Sequence, residues 1–181
     1  MSMFGFLRRN RHERAGYVLY TAAVAAARAP FLYATVGVPD TLDGRFDLVG
    51  LHVFLVIRRL QAQPAPGPAL AQAVFDAMFH DMDVNLREMG VSDIAVGRKV
   101  KVMWEAFNGR ATAYAAALDS GDTAALQAAL ARNVWRGAAA GAGPAMLAAI
   151  AVAQDAYLAG QAVTAGQVAF LPAAAAAAQL P

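Results

Sequence analysis

The chain has 181 residues, no cysteine, a formal net charge of +2 and an apolar fraction of 59%, much of it alanine. This composition excludes disulfides, thiolate metal sites and thiol nucleophiles, and the charge is too small to argue for nucleic-acid binding by itself. Alanine is the best helix former and buries little area, so the sequence favours helices more than it signals a greasy core.

At the N-terminus, Arg8, Arg9, Arg11 and Arg14 stand against Glu13. Residues 1–12 read as a basic, flexible leader that could touch ribosomal RNA or anionic lipid, with Phe4, Phe6 and Leu7 fitting a weak interfacial anchor. The apolar residues precede the arginines, the reverse order of a secretory signal. A first helix is expected from about residue 13 to 28, stopping before Pro30, with an irregular connection over 31–43. The second helix, about 45 to 61, is apolar on most sides, so it is expected at the centre of a core or under a partner. Arg58 and Arg59 in its last turn complement the negative end of the helix dipole.

Pro64, Pro66 and Pro68 enforce a break. The third helix, about 69 to 89, carries a stripe of Val74, Phe75, Met78, Phe79, Met82, Leu86 and Met89, and Gly90 suits a left-handed cap. Ser92 is the candidate N-cap of a fourth helix reaching about residue 119, with the stripe Val96, Val100, Met103, Trp104, Phe107, Ala111, Tyr114 and Leu118. Phe54, Phe79, Trp104, Phe107 and Tyr114 are the candidate core aromatics. After Gly121 a fifth helix is expected to end near Arg136. Residues 137–143 form a connection, and Pro144 opens a sixth helix to about residue 157.

No charge follows Asp155, and residues 159–181 read as an Ala-rich, low-complexity tail. The fold class is therefore all-α: one compact domain of about six helices over 13–158. No stretch reads as a membrane span, which needs roughly 20 mostly apolar residues: 137–154 is Ala and Gly broken by Gly143-Pro144, and 46–57 is too short.

Candidate chemistry is sparse. His80 and Asp83 share a helical face, but metal sites on helices need further ligands from other helices. His52 lies inside the most apolar helix, where a hydrogen-bonded core histidine is the ordinary reading. Ser2, Ser92 and Ser120 sit in no nucleophile elbow. Nothing calls for a cofactor. Asp81, Asp83 and Glu88 give the third helix an acidic side; Arg98, Lys99 and Lys101 give the fourth a basic one. Beside Met78, Met82, Met89 and Met103 these charges fit either a solvated surface or the edge of a docking groove.

Three pieces in order resemble the ubiquinol–cytochrome c chaperone family: Phe46-Asp47-Leu48-Val49-Gly50-Leu51-His52-Val53-Phe54 followed by Arg58-Arg59; Phe79-His80-Asp81-Met82-Asp83 followed by Arg87 and Met89-Gly90-Val91; and Arg98-Lys99-Val100-Lys101 leading to Phe107 and Tyr114. His80 departs from a frequent acid, and Phe54 and Phe79 from a common tryptophan. The resemblance covers about residues 15 to 136. It implies an all-helical, non-enzymatic assembly chaperone holding newly made cytochrome b, or another subunit, for the cytochrome bc1 complex of the respiratory chain; mitochondrial members of the family act with a small helical protein partner. The location it implies is cytoplasmic, peripheral at the cytoplasmic face of the inner membrane. Its expected partner- and client-binding residues are His52, Arg58, Arg59, His80, Asp81, Asp83, Arg87, Arg98, Lys99 and Lys101. The competing class is a small-ligand protein or enzyme, for quinone or haem, with a pocket near His52 or His80.

Overall fold

The computed structural model describes residues 3–163 and 167–178, with side chains from Arg11 onward. The elements are α1 (Met3–Ala27), α2 (Pro30–Ala34), α3 (Leu42–Gln61), α4 (Gly67–Glu88), α5 (Asp93–Ser120), α6 (Thr123–Leu130), a π-helical turn (Ala131–Trp135), α7 (Gly143–Ala159) and α8 (Ala173–Ala177). The fold is all-α, and no strand occurs among the described residues.

Local chemistry sets most boundaries. Proline occupies the first turn of α2, α4 and α7, where its missing N–H costs nothing and its fixed φ suits the helix. Thr41 Oγ1 accepts from Gly44 N at 3.1 Å to cap α3, and Asp122 Oδ1 accepts from Ala125 N at 2.8 Å to cap α6. Gly121, with φ of +67°, closes α5 in the left-handed region. Ser92 occupies the expected N-cap of α5, but its side chain makes no capping bond.

Helix α3 is the axis of the core. It packs on α1 and α4 on one side and on α7 and the π-helical turn on the other, burying Leu48, Val53, Leu55, Val56 and Leu60 almost completely. Helix α1 runs along α4, approaching so closely at Gly16 that an added Cβ would lie 2.6 Å from Ala73. Helices α5, α6 and α7 then pack in succession.

The structure differs from the sequence expectation in three places. Helix α1 begins at Met3 rather than near residue 13; arginine is a good helix former, so a run of basic residues does not end a helix. Pro30 stops α1 and also opens α2, inside a stretch expected to be irregular. Beyond residue 158, Gln154 donates to Leu171 O at 2.8 Å and accepts from Leu171 N at 3.0 Å. Gln161 makes the same two-sided contact with Ala169 at 2.8 and 2.9 Å. Ala173 and Ala176 are buried, and α8 packs on α7 and α2. Packing thus extends into the Ala-rich segment, whose small side chains let backbone approach backbone.

The stretch 11–34 is long and apolar enough to cross a membrane by length and composition, where the sequence reading found no span; a third of its apolar window is buried inside the fold. The contacts expected of Arg8 and Arg9 lie outside the described side chains.

Candidate functional site

The C-terminal half of α1, the first turns of α3, the second half of α4 and α5 as far as Arg110 enclose an open groove of about 650 Å³. Its apolar surface comes from Val24, Phe46, Val49, Met82, Leu86 and Met103. Leu42, Met89 and Val102 stand at its edge, exposed by 66%, 52% and 58%. Arg28, Arg45, Arg98, Lys99, Arg110 and Arg136 also line it, against only Asp43 and Asp81 as carboxylates. The groove is therefore apolar inside and cationic at its rim.

The cationic wall is anchored by Asp47, the one acid on the buried part of α3. Its carboxylate is 1% exposed and pairs with Arg110 and, at 2.8 Å, with Arg136 Nη2. Burial pushes the Asp47 carboxyl upward, and the two guanidiniums oppose that push. Arg110 also lies over the Phe46 ring at 5.9 Å. The π-helical turn puts Arg136 in place: Trp135 is buried and its Nε1 donates to Gly37 O at 3.0 Å, and Arg136 follows with φ of +50°. A non-glycine residue in that region persists where its surroundings over-determine it; here the buried Trp135 and the Asp47 pairing do so. On the opposite wall, the Tyr20 hydroxyl donates to Asp81 Oδ2 at 2.6 Å. Burial first, and this bond second, raise the phenol pKa.

Of the residues singled out in the sequence, Asp81, Arg98 and Lys99 line the groove. Asp83 pairs with Arg87 at 2.6 Å, and Arg87 also reaches Asp93. The bond from Arg87 holds the Asp83 carboxyl below its ordinary value. Lys101 lies 3.9 Å from Glu105 on the exposed side of α5, and His80 is exposed.

Three of the expected client-binding residues are committed inside the fold. His52 is buried: a ring nitrogen, Nδ1, donates to Leu48 O at 2.8 Å, and the ring packs 5.5 Å from that of Phe170. Burial drives its pKa down to about 4. Arg58 bridges Asp119 at 2.7 Å and Asp155 at 3.1 Å. Arg59 donates to Gln161 O at 2.6 Å. In this fold these three join elements together, and none of them lines the groove.

Phe54, Phe107 and Tyr114 are buried as expected, with Phe54 and Tyr114 edge to face at 5.9 Å. Phe79 is half-buried between Phe75 and Phe107. Trp104 is a correction, since it is 47% exposed. With 100° per residue, it lies about 80° around α5 from the Val96 and Tyr114 positions that face the core. Sequence reasoning passed over Tyr20, Asp47, Arg110 and Arg136. A lone acid in an apolar helix was the available signal for Asp47, because a buried carboxylate demands a cationic partner.

The profile of the ubiquinol-cytochrome C chaperone family matches residues 34–169, which include most of the groove and all of the Asp47 cluster. The ubiquinol-cytochrome-c reductase complex assembly factor 1 of Xenopus laevis is 25% identical over 116 residues, 64% of this chain and 58% of that protein. The chain thus covers less than two thirds of that relative's length. The crystal structure of the Cbp3 homolog from Brucella abortus superposes with a TM-score of 0.82 at 34% identity, covering 96% of this chain and 98% of the other.

Proposed function

The chain belongs to the ubiquinol-cytochrome C chaperone family, and we propose that it is a non-enzymatic assembly chaperone for the ubiquinol–cytochrome c reductase (bc1) complex. Newly made cytochrome b is its client, and the groove between α1, α3, α4 and α5 is where the client docks. The observation that carries this reading is the groove itself, apolar inside and cationic at the rim, within a chain whose relative is named as an assembly factor of that complex. Apolar surface supplies affinity for a membrane subunit before insertion, and peripheral charge sets encounter and register. The setting proposed is the cytoplasmic face of the inner membrane.

Affinity capture of the full chain from respiring cells tests this reading. The expected result is co-purification of cytochrome b, together with loss of assembled bc1 complex in cells lacking the chain. Normal bc1 assembly without it, or capture free of every bc1 subunit, would refute the proposal. The absorbance spectrum of the purified protein tests the quinone or haem alternative: a bound chromophore would favour it, although neither His52 nor His80 lines the groove.

A further inference from the structure

We propose that the groove receives an acidic amphipathic helix of its client polypeptide, with apolar side chains on the methionine-bearing floor and carboxylates against Arg28, Arg98 and Lys99. This rests on the chaperone reading above and specifies the kind of segment that the groove takes.

Shape points to a helix. The groove wall on α5 runs from Arg98 to Arg110, about 18 Å at 1.5 Å per residue. A docked helix uses anchors at i, i+3, i+4 and i+7, which span about 10 Å. Met82 and Met103 on the floor, and Met89 at the edge, are unbranched and polarizable, and so adapt to varied apolar partners.

Charge points to acid. Six cations line the groove against two carboxylates. Asp81 already accepts the Tyr20 hydroxyl, and Asp43 lies 4.0 Å from Arg136. Arg45 is paired with Asp40. Arg28, Arg98 and Lys99 have no carboxylate within ion-pair distance among the described residues. Behind the wall, Arg110 and Arg136 share the buried carboxylate of Asp47, with Asp43 beside Arg136, so the surplus positive charge of the groove rests on Arg28, Arg98 and Lys99. Such a rim repels basic segments and attracts acidic ones. An anionic lipid surface shares the charge but is flat, whereas this surface is concave and walled by four helices.

The test places a photo-cross-linking residue at Val102, on the groove's edge, or at Trp104, on the other flank of α5, in the full chain within respiring cells. Mass spectrometry then identifies what is captured. The Val102 position is expected to capture a bc1 subunit within a segment that has apolar residues at helical spacing and at least two Asp or Glu. Arg98→Glu with Lys99→Glu should lower that yield about tenfold, and Arg98→Gln with Lys99→Gln by less. Both side chains are exposed, so an unchanged melting temperature is the control for folding. Capture of phospholipid at Val102, or of a segment without carboxylates, overturns the proposal. Capture of a bc1 subunit from Trp104 alone overturns it and leaves the chaperone reading standing. Absence of any bc1 subunit from both positions removes the chaperone reading as well.

Discussion

The Tyr20 hydroxyl donates to Asp81 Oδ2 across 2.6 Å, joining α1 to α4 over 61 residues of sequence. Asp81 is therefore part of the structure as well as of the groove wall. Tyr20 is 4% exposed, and Tyr20→Phe should cost about 1.5–3 kcal/mol by removing a bond to a charged acceptor. Asp81→Lys should cost more, since it leaves the hydroxyl without an acceptor and sets a cation near Arg28. Chemical denaturation of the two variants checks this, and equal stability of wild type and both variants would show that the bond contributes nothing. Reversal of Asp81 is consequently a poor probe of docking on its own, whereas Asp83, tied only to Arg87 at the surface, can be reversed with little structural effect.

Trp104→Ala should change stability by only about 1 kcal/mol or less, as surface substitutions do. Phe107→Ala, three residues on and 6% exposed, should cost about 3–5 kcal/mol. Thermal unfolding of the pair decides the matter. A large loss at Trp104 would return that side chain to the core, where its place in an apolar stripe had suggested it belonged.

The contrast between those two residues shows what the sequence could and could not convey. Helices α3, α4 and α5 were legible because prolines, Gly90 and Gly121 mark their ends, and because Val96, Phe107 and Tyr114 share one face. A stripe that also admitted Trp104 was wider than the face that α5 buries. The groove was illegible for a different reason. Asp47, Arg110 and Arg136 lie on α3, on α5 and after the π-helical turn, and no local pattern links residues 89 positions apart. Arg98 and Lys99 could be read as basic, but not as facing a cavity, until α1 closed the opposite wall. The same holds for Gln154, an unremarkable polar residue in an Ala-rich helix that proves to clamp the backbone of Leu171 on both sides.

Gln154 is 1% exposed, so its loss strips two backbone groups of their partners. Gln154→Leu should destabilise the chain by about 2–4 kcal/mol, at about 1–2 kcal/mol for each group left without its bond. It should also free the segment around residues 167–172 for limited proteolysis. Unchanged protease resistance there would mean that α8 holds the segment without the glutamine.

Acid should weaken the fold through His52. Burial puts its folded-state pKa at about 4, below the ordinary 6.5. The unfolded chain therefore binds the proton more readily between those values. The stability contributed is full above pH 6.5 and is lost as the pH falls towards 4, by about 3 kcal/mol in total. Urea midpoints from pH 7 to pH 4 should fall steeply for the wild type and less for His52→Leu, which has no proton to take up. Parallel profiles for the two proteins would contradict a buried neutral imidazole.

Glycine substitutions separate helix propensity from helix packing on two faces of the same molecule. Gly97 and Gly109 lie within α5 with nothing near where a Cβ would be. Alanine at either should stabilise the protein by about 0.5–1 kcal/mol, the ordinary gain in a helix interior. Gly16 gains the same propensity on replacement, but its Cβ would lie 2.6 Å from both the carbonyl carbon and the Cβ of Ala73. Backbone cannot step aside as a flexible side chain can, so α1 must shift along or away from α4, at a cost of about 1–3 kcal/mol or more. Packing outweighs propensity there, and Gly16→Ala should be net destabilising. The shift should also reach the groove, because Tyr20 and Val24 on the next turns of α1, with Arg28 just beyond its end, form one wall of it. Gly16→Ala should therefore reduce bc1 assembly in cells, while Gly97→Ala and Gly109→Ala leave it intact. Denaturation curves with all three changes of the same sign would mean that α1 does not approach α4 as closely as this arrangement requires.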